Sequence, residues 1–487
     1  MTPDTILTQV TILWIALPFF VGFTVYLLPQ AARLLTLAVT LVSLAYAMAL
    51  FGQPAPLDLH LLDSFGVTLL ADQLSAYFIL TNALVTAAVI LYCWPTGKTA
   101  FFYTQAIILH GSINATFICA DFISLYVALE VIGIAAFLLI AYPRQDRTLW
   151  VALRYLFISN TAMLFYLVGA VLVYQAHQSF AFTGLRGAPI EAVVLIVLGL
   201  LVKGGIFVSG LWLPLTHAEA ESPVSALLSG VVVKAGVFPL VRLALLVEEL
   251  DPLVRAFGVA TALLGVIYAL VETDAKRVLA LSTVSQVGWV MAAPPVAGVY
   301  ALAHGLVKAA LFLTVGNLPS RDLTVLQQQP MATGLWLPLM AGSLAIAGFP
   351  LFVGFGAKAL TLEAALPWQG NILGLAALGT AVIYAKFMLL PHHRYGKSAA
   401  NPSLWPALGV LLGALILANG IYLEAYTGAK LLMALATIGG GLAIHRLLVQ
   451  RVTFALPQGA EDFEHLIGGM SLTLVVLFWM VWSWLAI

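Results

Sequence analysis

Apolar stretches of about 20 residues, the length that carries a helix across a bilayer core, follow one another through almost all of this 487-residue chain. In hydrocarbon every backbone N–H and C=O must be satisfied within the chain, which leaves helices or closed barrels. Barrel strands would read as short alternating segments, whereas these segments are long and apolar throughout. Composition agrees: 62% of the residues are hydrophobic and 9% charged, far from the balance of a soluble domain. The expected fold is an all-α polytopic membrane protein with about 14–16 transmembrane helices. The spans read at about 5–28, 31–51, 68–93, 100–119, 121–142, 149–175, 190–213, 222–247, 253–271, 278–294, 298–318, 331–366, 371–391, 403–422, 428–445 and 467–486. Asp4 is the only early charge, so the first segment lacks the basic flank of a cleaved signal and reads as a retained span.

The loops add an orientation. Taken alternately, one set collects Arg33, Lys98, Arg144, Arg147, Lys276, Arg277, Arg321, Arg394, Lys397, Arg446 and Arg451. The other carries Asp58, Asp63, Glu248, Glu249, Asp251 and Glu424, opposed by Arg186, Arg255 and Lys430. The positive-inside bias makes the first set cytoplasmic and leaves both termini on the non-cytoplasmic side. The segregation holds only if 331–366 is one span interrupted near Pro350. The net charge of +0 gives no surface for nucleic acid. Cys93 and Cys119 are not spaced for a metal and read as small buried hydrophobes.

Against this background, four charges sit inside apolar runs: Glu130, Lys203, Lys234 and Lys358. Each costs roughly 2.5–3.5 kcal/mol at a helix centre, even on lenient insertion scales, so they read as stations of an ion path. Two of the lysines adjoin helix breakers. Gly204 and Gly205 follow Lys203, while Gly348, Pro350, Gly354 and Gly356 precede Lys358. Interrupted helices in corresponding halves of a chain point to an ion site, because a break exposes helix ends and carbonyls; close helix packing at glycine is the simpler alternative. A lysine beside a carboxylate has a movable proton affinity, and Glu130 is the natural partner for Lys203. A static pair that fixes helix packing is the competing reading.

Further along, Ser222-Pro223 opens a helix with Lys234 about three turns in. His217, Glu219 and Glu221 lie just before it, as a proton-collecting mouth or a solvated connecting loop. His304 and Lys308 are one turn apart and share a face, which suits a relay; a satisfied packing histidine is the competing reading. Lys386 lies close to the cytoplasmic end, as a release group or a snorkelling side chain. Asp274, Lys276 and Arg277 read as a cluster orienting a helix. No phosphate loop, dinucleotide fingerprint or cysteine set is present, so no cofactor is expected and no redox chemistry within the chain.

Taken together, the Glu130 helix, VKGGIFVSGLWLPLTHAEAESPVSALLSGVVVKAGVF, DAKRVLALSTVSQVG, HGLVKAALFLTVG and GFGAKALTL resemble the antiporter-like membrane subunits shared by complex I type quinone oxidoreductases and multi-subunit Mrp sodium/proton antiporters. The resemblance runs from about residue 70 to 395. It implies two inverted five-helix repeats, at 100–247 and 253–391, each with one broken helix, between N-terminal helices at 1–99 and C-terminal helices at 403–487. It also implies a coupling role for Glu130 and Lys203, and proton relay by Lys234, His304, Lys308 and Lys358. Lysine at 358, where some complex I members carry glutamate, and the lack of a long lateral helix favour a member of the Mrp D type. So does Glu221-Ser222-Pro223, where the family's loop more often has Ala-Pro.

Three functions are thus expected in order. The first is Na+/H+ antiport within a complex of homologous and small multi-span subunits. The second is proton pumping in a complex I type NAD(P)H- or ferredoxin-quinone oxidoreductase. The third is a membrane scaffold for a soluble carbon-uptake partner. The expected location is a bacterial cell membrane, or the thylakoid of a cyanobacterium.

Overall fold

A computed structural model describes residues 3–62, 66–394, 400–448 and 463–486. Asp63, Lys397 and Arg451, three of the loop charges named above, lie outside them. The chain is a bundle of helices, of which thirteen among the described residues are long and apolar enough to cross a membrane.

The N-terminal part is α1 (Pro3–Leu27), α2 (Ala32–Phe51), the antiparallel hairpin β1 (Leu57–Leu62) and β2 (Gly66–Ala71), α3 (Gln73–Cys93) and α4 (Ala100–Thr116). Next come α5 (Phe122–Ile140), α6 (Asp146–His177), α7 (Ile190–Gly204), α8 (Leu213–Glu219), α9 (Ser222–Leu227) and α10 (Val233–Leu246). The second half holds α11 (Leu250–Val271), α12 (Ala275–Ala292), α13 (Ala297–Val315), α14 (Leu323–Gln328), the two-residue strand β3 (Met331–Ala332), α15 (Thr333–Ala347), α16 (Val353–Glu363), α17 (Pro367–Met388) and β4 (His392–His393), which pairs with β3. Then follow α18 (Leu404–Asn419), α19 (Gly428–Leu447) and α20 (Phe463–Leu485).

Aspartates start several of these helices. Asp72, Asp121, Asp274 and Asp322 each accept a backbone N–H from the first turn of α3, α5, α12 and α14, satisfying donors that a helix start leaves orphaned. Burial works against the ionised form of Asp72, but hydrogen bonds from the Arg242 guanidinium and Ser75 outweigh it and hold the carboxyl below its usual range.

The layering follows from polarity. α9 and α10, joined through a π-turn at Leu228–Val232, form one span buried from Pro223 to Ala244. Every residue of α13 is buried, and all of α12 except Arg277. α12 is too polar to face lipid, with Ser282, Thr283, Ser285 and Gln286 in its middle, so its neighbours enclose it. α3, α9, α12, α15, α16 and α18 all pack on α13, while α6, α10 and α20 pack on α7. Outward-facing Phe20, Phe23, Leu417 and Leu432 mark the lipid side of the outer helices.

Both expected interruptions are present, one in each half. α7 ends at Gly204, Gly205 takes φ +65°, and a 3-10 turn over Phe207–Trp212 leads into α8. α15 ends with Gly348 at φ +93°, and α16 begins at Val353 after an irregular stretch that contains Pro350. With 15 and 11 residues, neither α15 nor α16 reaches the length of a full span by itself.

Candidate functional site: a file of buried lysines and histidines

The centre is built on glycine contacts between the central helices. A Cβ on Gly236 of α10 would lie 2.3 Å from the Gly204 nitrogen, so only glycine lets the break in α7 press against α10 two residues beyond Lys234. A Cβ on Gly305 of α13 would lie 3.4 Å from Lys234 Nζ, placing that ammonium against α13 between His304 and Lys308.

Lys234 and Lys358 find carbonyls at irregular backbone, and Lys308 finds a helical carbonyl and a hydroxyl. Lys234, with no exposed surface, donates to Gly230 O at 2.6 Å and Ser229 O at 3.3 Å. Both acceptors lie in the π-turn, where the shifted register leaves carbonyls short of helical donors. Lys308 donates to Leu279 O and the Tyr384 hydroxyl, both at 2.8 Å, and Tyr384 in turn meets Ser282 at 2.9 Å. Lys358 donates to Ala347 O, the last carbonyl of α15, at 3.2 Å, with its ammonium 5.5 Å from the centre of the Trp289 ring.

The histidines behave differently. His304 and His217 are fully buried, yet none of their four ring nitrogens has a hydrogen-bond partner. Buried imidazoles are normally bonded, and here no protein group supplies the bond. His217 stacks on Phe312, one turn beyond Lys308, at 4.6 Å and 17°. His304 lines a small cavity, with room for about one water, together with Gln286, Tyr300 and Lys358. A second, larger and partly open cavity, about 470 Å³, runs from Lys358 to Glu363 and Lys430. Lys358 is the one residue that lines both.

Several expected site residues sit elsewhere or are bonded otherwise. Glu130 is half-buried and forms no ion pair with Lys203; Glu130 Oε1 has no partner. Lys203 instead donates to Leu129 O at 2.9 Å and Ser159 Oγ at 2.6 Å, one residue along α5 from Glu130 and on the facing α6. The two charges are near enough to act on each other, but the pair is open in this conformation. His217, read as part of a mouth or a solvated loop, lies behind that surface. The surface is formed by Glu219 and Glu221, held by Arg147 at 3.5 Å and Lys98 at 2.6 Å. Lys386 does not snorkel. It is 8% exposed and caps the C-terminus of α11, donating to Ala269 O, Leu270 O and Glu272 O at 2.7–3.0 Å. Gly354 allows α16 to approach the Ala345 carbonyl, which a Cβ would meet at 2.2 Å, and Gly356 lies against Tyr422.

Four groups join the site that sequence reasoning did not place there. Lys276 is 6% exposed and donates to Ala220 O at 2.6 Å, just past the end of α8, where the helix dipole favours a cation. Ser159, Tyr384 and the Tyr300–Gln286 pair (2.7 Å) complete the polar lining. The available signal was α12 itself: a span-length helix too polar for lipid must lie inside and present its polar side chains to a neighbour.

Comparison with known proteins follows the same lines. Residues 119–384 match the family described as NADH:quinone oxidoreductase/Mrp antiporter, transmembrane. The chain is 29% identical over 390 residues to NADH-quinone oxidoreductase subunit N of Desulforudis audaxviator, covering 71% of this chain and 74% of that protein. It is 26% identical over 352 residues to a Na(+)/H(+) antiporter subunit, of the D type, from Alkalihalophilus pseudofirmus, covering 66% and 71%. Its fold superposes with a TM-score of 0.76 and 22% identity on a chain of the membrane-bound sulfane sulfur reductase, an archaeal respiratory membrane complex, over 91% of this chain and 100% of that one.

Proposed function

Because the chain belongs to the NADH:quinone oxidoreductase/Mrp antiporter membrane family, we propose that it is a proton-translocating, antiporter-like subunit of a multi-subunit membrane complex, and that the complex performs Mrp-type Na+/H+ antiport. The observation that carries this reading is the buried file itself: His217, Lys308, His304, Lys234 and Lys358, with ammonium groups on backbone carbonyls and imidazoles left open. Imidazoles and ammonium groups buried within reach of one another can accept and pass on a proton.

In this mechanism protons are taken up at the cationic face, where Glu219 and Glu221 sit before His217. They pass to Lys308 and His304, with Lys234 alongside, and cross the small cavity to Lys358. Glu130 and Lys203 form the coupling pair. Closure would draw Lys203 from Leu129 O and Ser159, and Lys203 sits in the turn of α7 that packs on α10 next to Lys234, so the movement reaches the file. The halves 100–247 and 253–391 serve as inverted repeats, each with one break. The face bearing Lys98, Arg147 and Arg321 is cytoplasmic, with both termini opposite; Leu485, lining a cavity with Arg186 and Glu248, agrees with that placement of the C-terminal end.

Glu130→Gln and Lys203→Ala are expected to abolish ion-coupled transport by the complex in vesicles, read with a pH-sensitive dye, while assembly stays intact. Wild-type transport by both variants would refute the coupling pair. The similarity to a quinone oxidoreductase subunit N favours, as a second reading, proton pumping driven by quinone reduction in partner subunits. Purification of the intact complex separates the two: other antiporter-like subunits support the first, cluster- and quinone-binding subunits the second.

A further inference from the structure

Lys358 separates two cavities, and the outer one, partly open, is walled on one side by an element the transport reading leaves unused. Its buried end is Lys358, 8% exposed. At its rim Lys430 Nζ meets Glu363 Oε1 at 2.5 Å, with side-chain exposures of 28% and 52%. Between these polar ends the wall is apolar, with Phe355, Leu362 and Met433. One wall is α19, and its attachment is uneven. Toward its C-terminal half α19 presses on α17, where a Cβ on Gly441 would lie 2.5 Å from Ala381 Cβ, and Gly440 faces Leu378. Toward its N-terminal half the helix stands away and leaves the cavity. There the latch to α16 is the ion pair between Lys430, in the first turn of α19, and Glu363, the last residue of α16.

We propose that the N-terminal half of α19 is a gate over the outer face of Lys358, latched by Lys430–Glu363, and that water reaches Lys358 through this cavity only when the latch opens. An apolar chamber between polar ends excludes water while its mouth is shut, and a half-exposed ion pair opens readily because water solvates both partners. The close packing at Gly440 and Gly441 provides the fixed end about which the helix swings. A gate here keeps Lys358 from exchanging with bulk water while it faces the inner cavity, which prevents a leak. The proposal rests on the transport reading for its purpose, but its test does not.

The test places Ala434→Cys, on the cavity wall, in a chain carrying Cys93→Ala and Cys119→Ala, within the assembled complex in membrane vesicles. Labelling is followed with a charged, membrane-impermeant methanethiosulfonate reagent and with a lipid-soluble maleimide. The charged reagent is expected to react slowly, and about fivefold faster once Glu363→Gln removes the latch. The reversed pair, Glu363→Lys with Lys430→Glu, should restore slow labelling. An unchanged rate in Glu363→Gln, or labelling by the lipid-soluble reagent alone, would overturn the gate and identify a lipid-facing groove. If the wild-type complex moves no protons, the transport reading fails while the labelling rates still decide the gate.

Discussion

The two broken helices hold their lysines in opposite ways. Lys203, in the last turn of α7, turns away from its own break and reaches α5 and α6 through Leu129 O and Ser159 Oγ. Lys358, past the break in the second half, folds back onto the carbonyl that its break exposes, at Ala347. The first is therefore sensitive to how neighbouring helices move, which suits coupling; the second is sensitive to the shape of its own break and to the cavities on either side. Breaker and lysine in sequence look alike in both halves, yet the partner decides what the lysine can report.

This contrast can be broken by experiment. After the loss expected for the coupling pair, the largest effect is expected from the proposed relay lysines: Lys234→Ala and Lys358→Ala should each reduce proton transport by roughly two orders of magnitude or more, the scale of losing a positioned proton-transfer group. Retained transport in either would remove it from the file. Next comes Ser159→Ala, which deletes one of two hydrogen bonds to Lys203, each worth about 1.5–3 kcal/mol to a charged donor, and should slow coupled transport about tenfold. Trp289→Leu removes only a ring face from Lys358 and should cost less; the reverse order would undo the distinction drawn between the two halves.

The glycines sharpen the comparison further. Gly205→Ala and Gly348→Ala both force a left-handed residue, at about 1–2 kcal/mol each. The new methyl in the first meets Leu213 Cδ1 at 2.7 Å, and in the second meets Lys358 Cδ at 3.1 Å. Both variants should lose thermal stability, but Gly348→Ala should impair transport more, because its methyl lands on the Lys358 side chain. The smallest transport effect is expected for Lys386→Met. It leaves carbonyls at the end of α11 without a donor, a loss of about 2 kcal/mol visible as a lower unfolding temperature, while transport stays within about twofold. Complete loss of transport would return Lys386 to the path.

Much of the site was legible because hydrocarbon makes every charge conspicuous. Glu130, Lys203, Lys234 and Lys358 stand out against their runs, and Gly204-Gly205 and Gly348–Pro350 announce breaks that the backbone obeys. The positions of His217 and Lys386 were not legible in the same way. Both lie near the ends of apolar segments, and nothing local says whether such an end meets water or another helix. The capping of α11 by Lys386 joins residues more than a hundred positions apart, and Lys276 reaches Ala220 from a different helix altogether.

What the sequence by itself determined was the solvent of the fold and the cost structure within it. Long apolar runs demand membrane helices, glycine and proline set where two of them fail, and charges inside those runs must be satisfied internally. What only the tertiary structure decided was which partner satisfies each one. A lysine accepts any carbonyl within reach of a long flexible stem, so its choice depends on how helices cross. Here the crossings at Gly204–Gly236 and at Gly305 bring α7, α10 and α13 close together, while Glu130 and Lys203 stay unbonded to each other and Lys358 lies between two cavities.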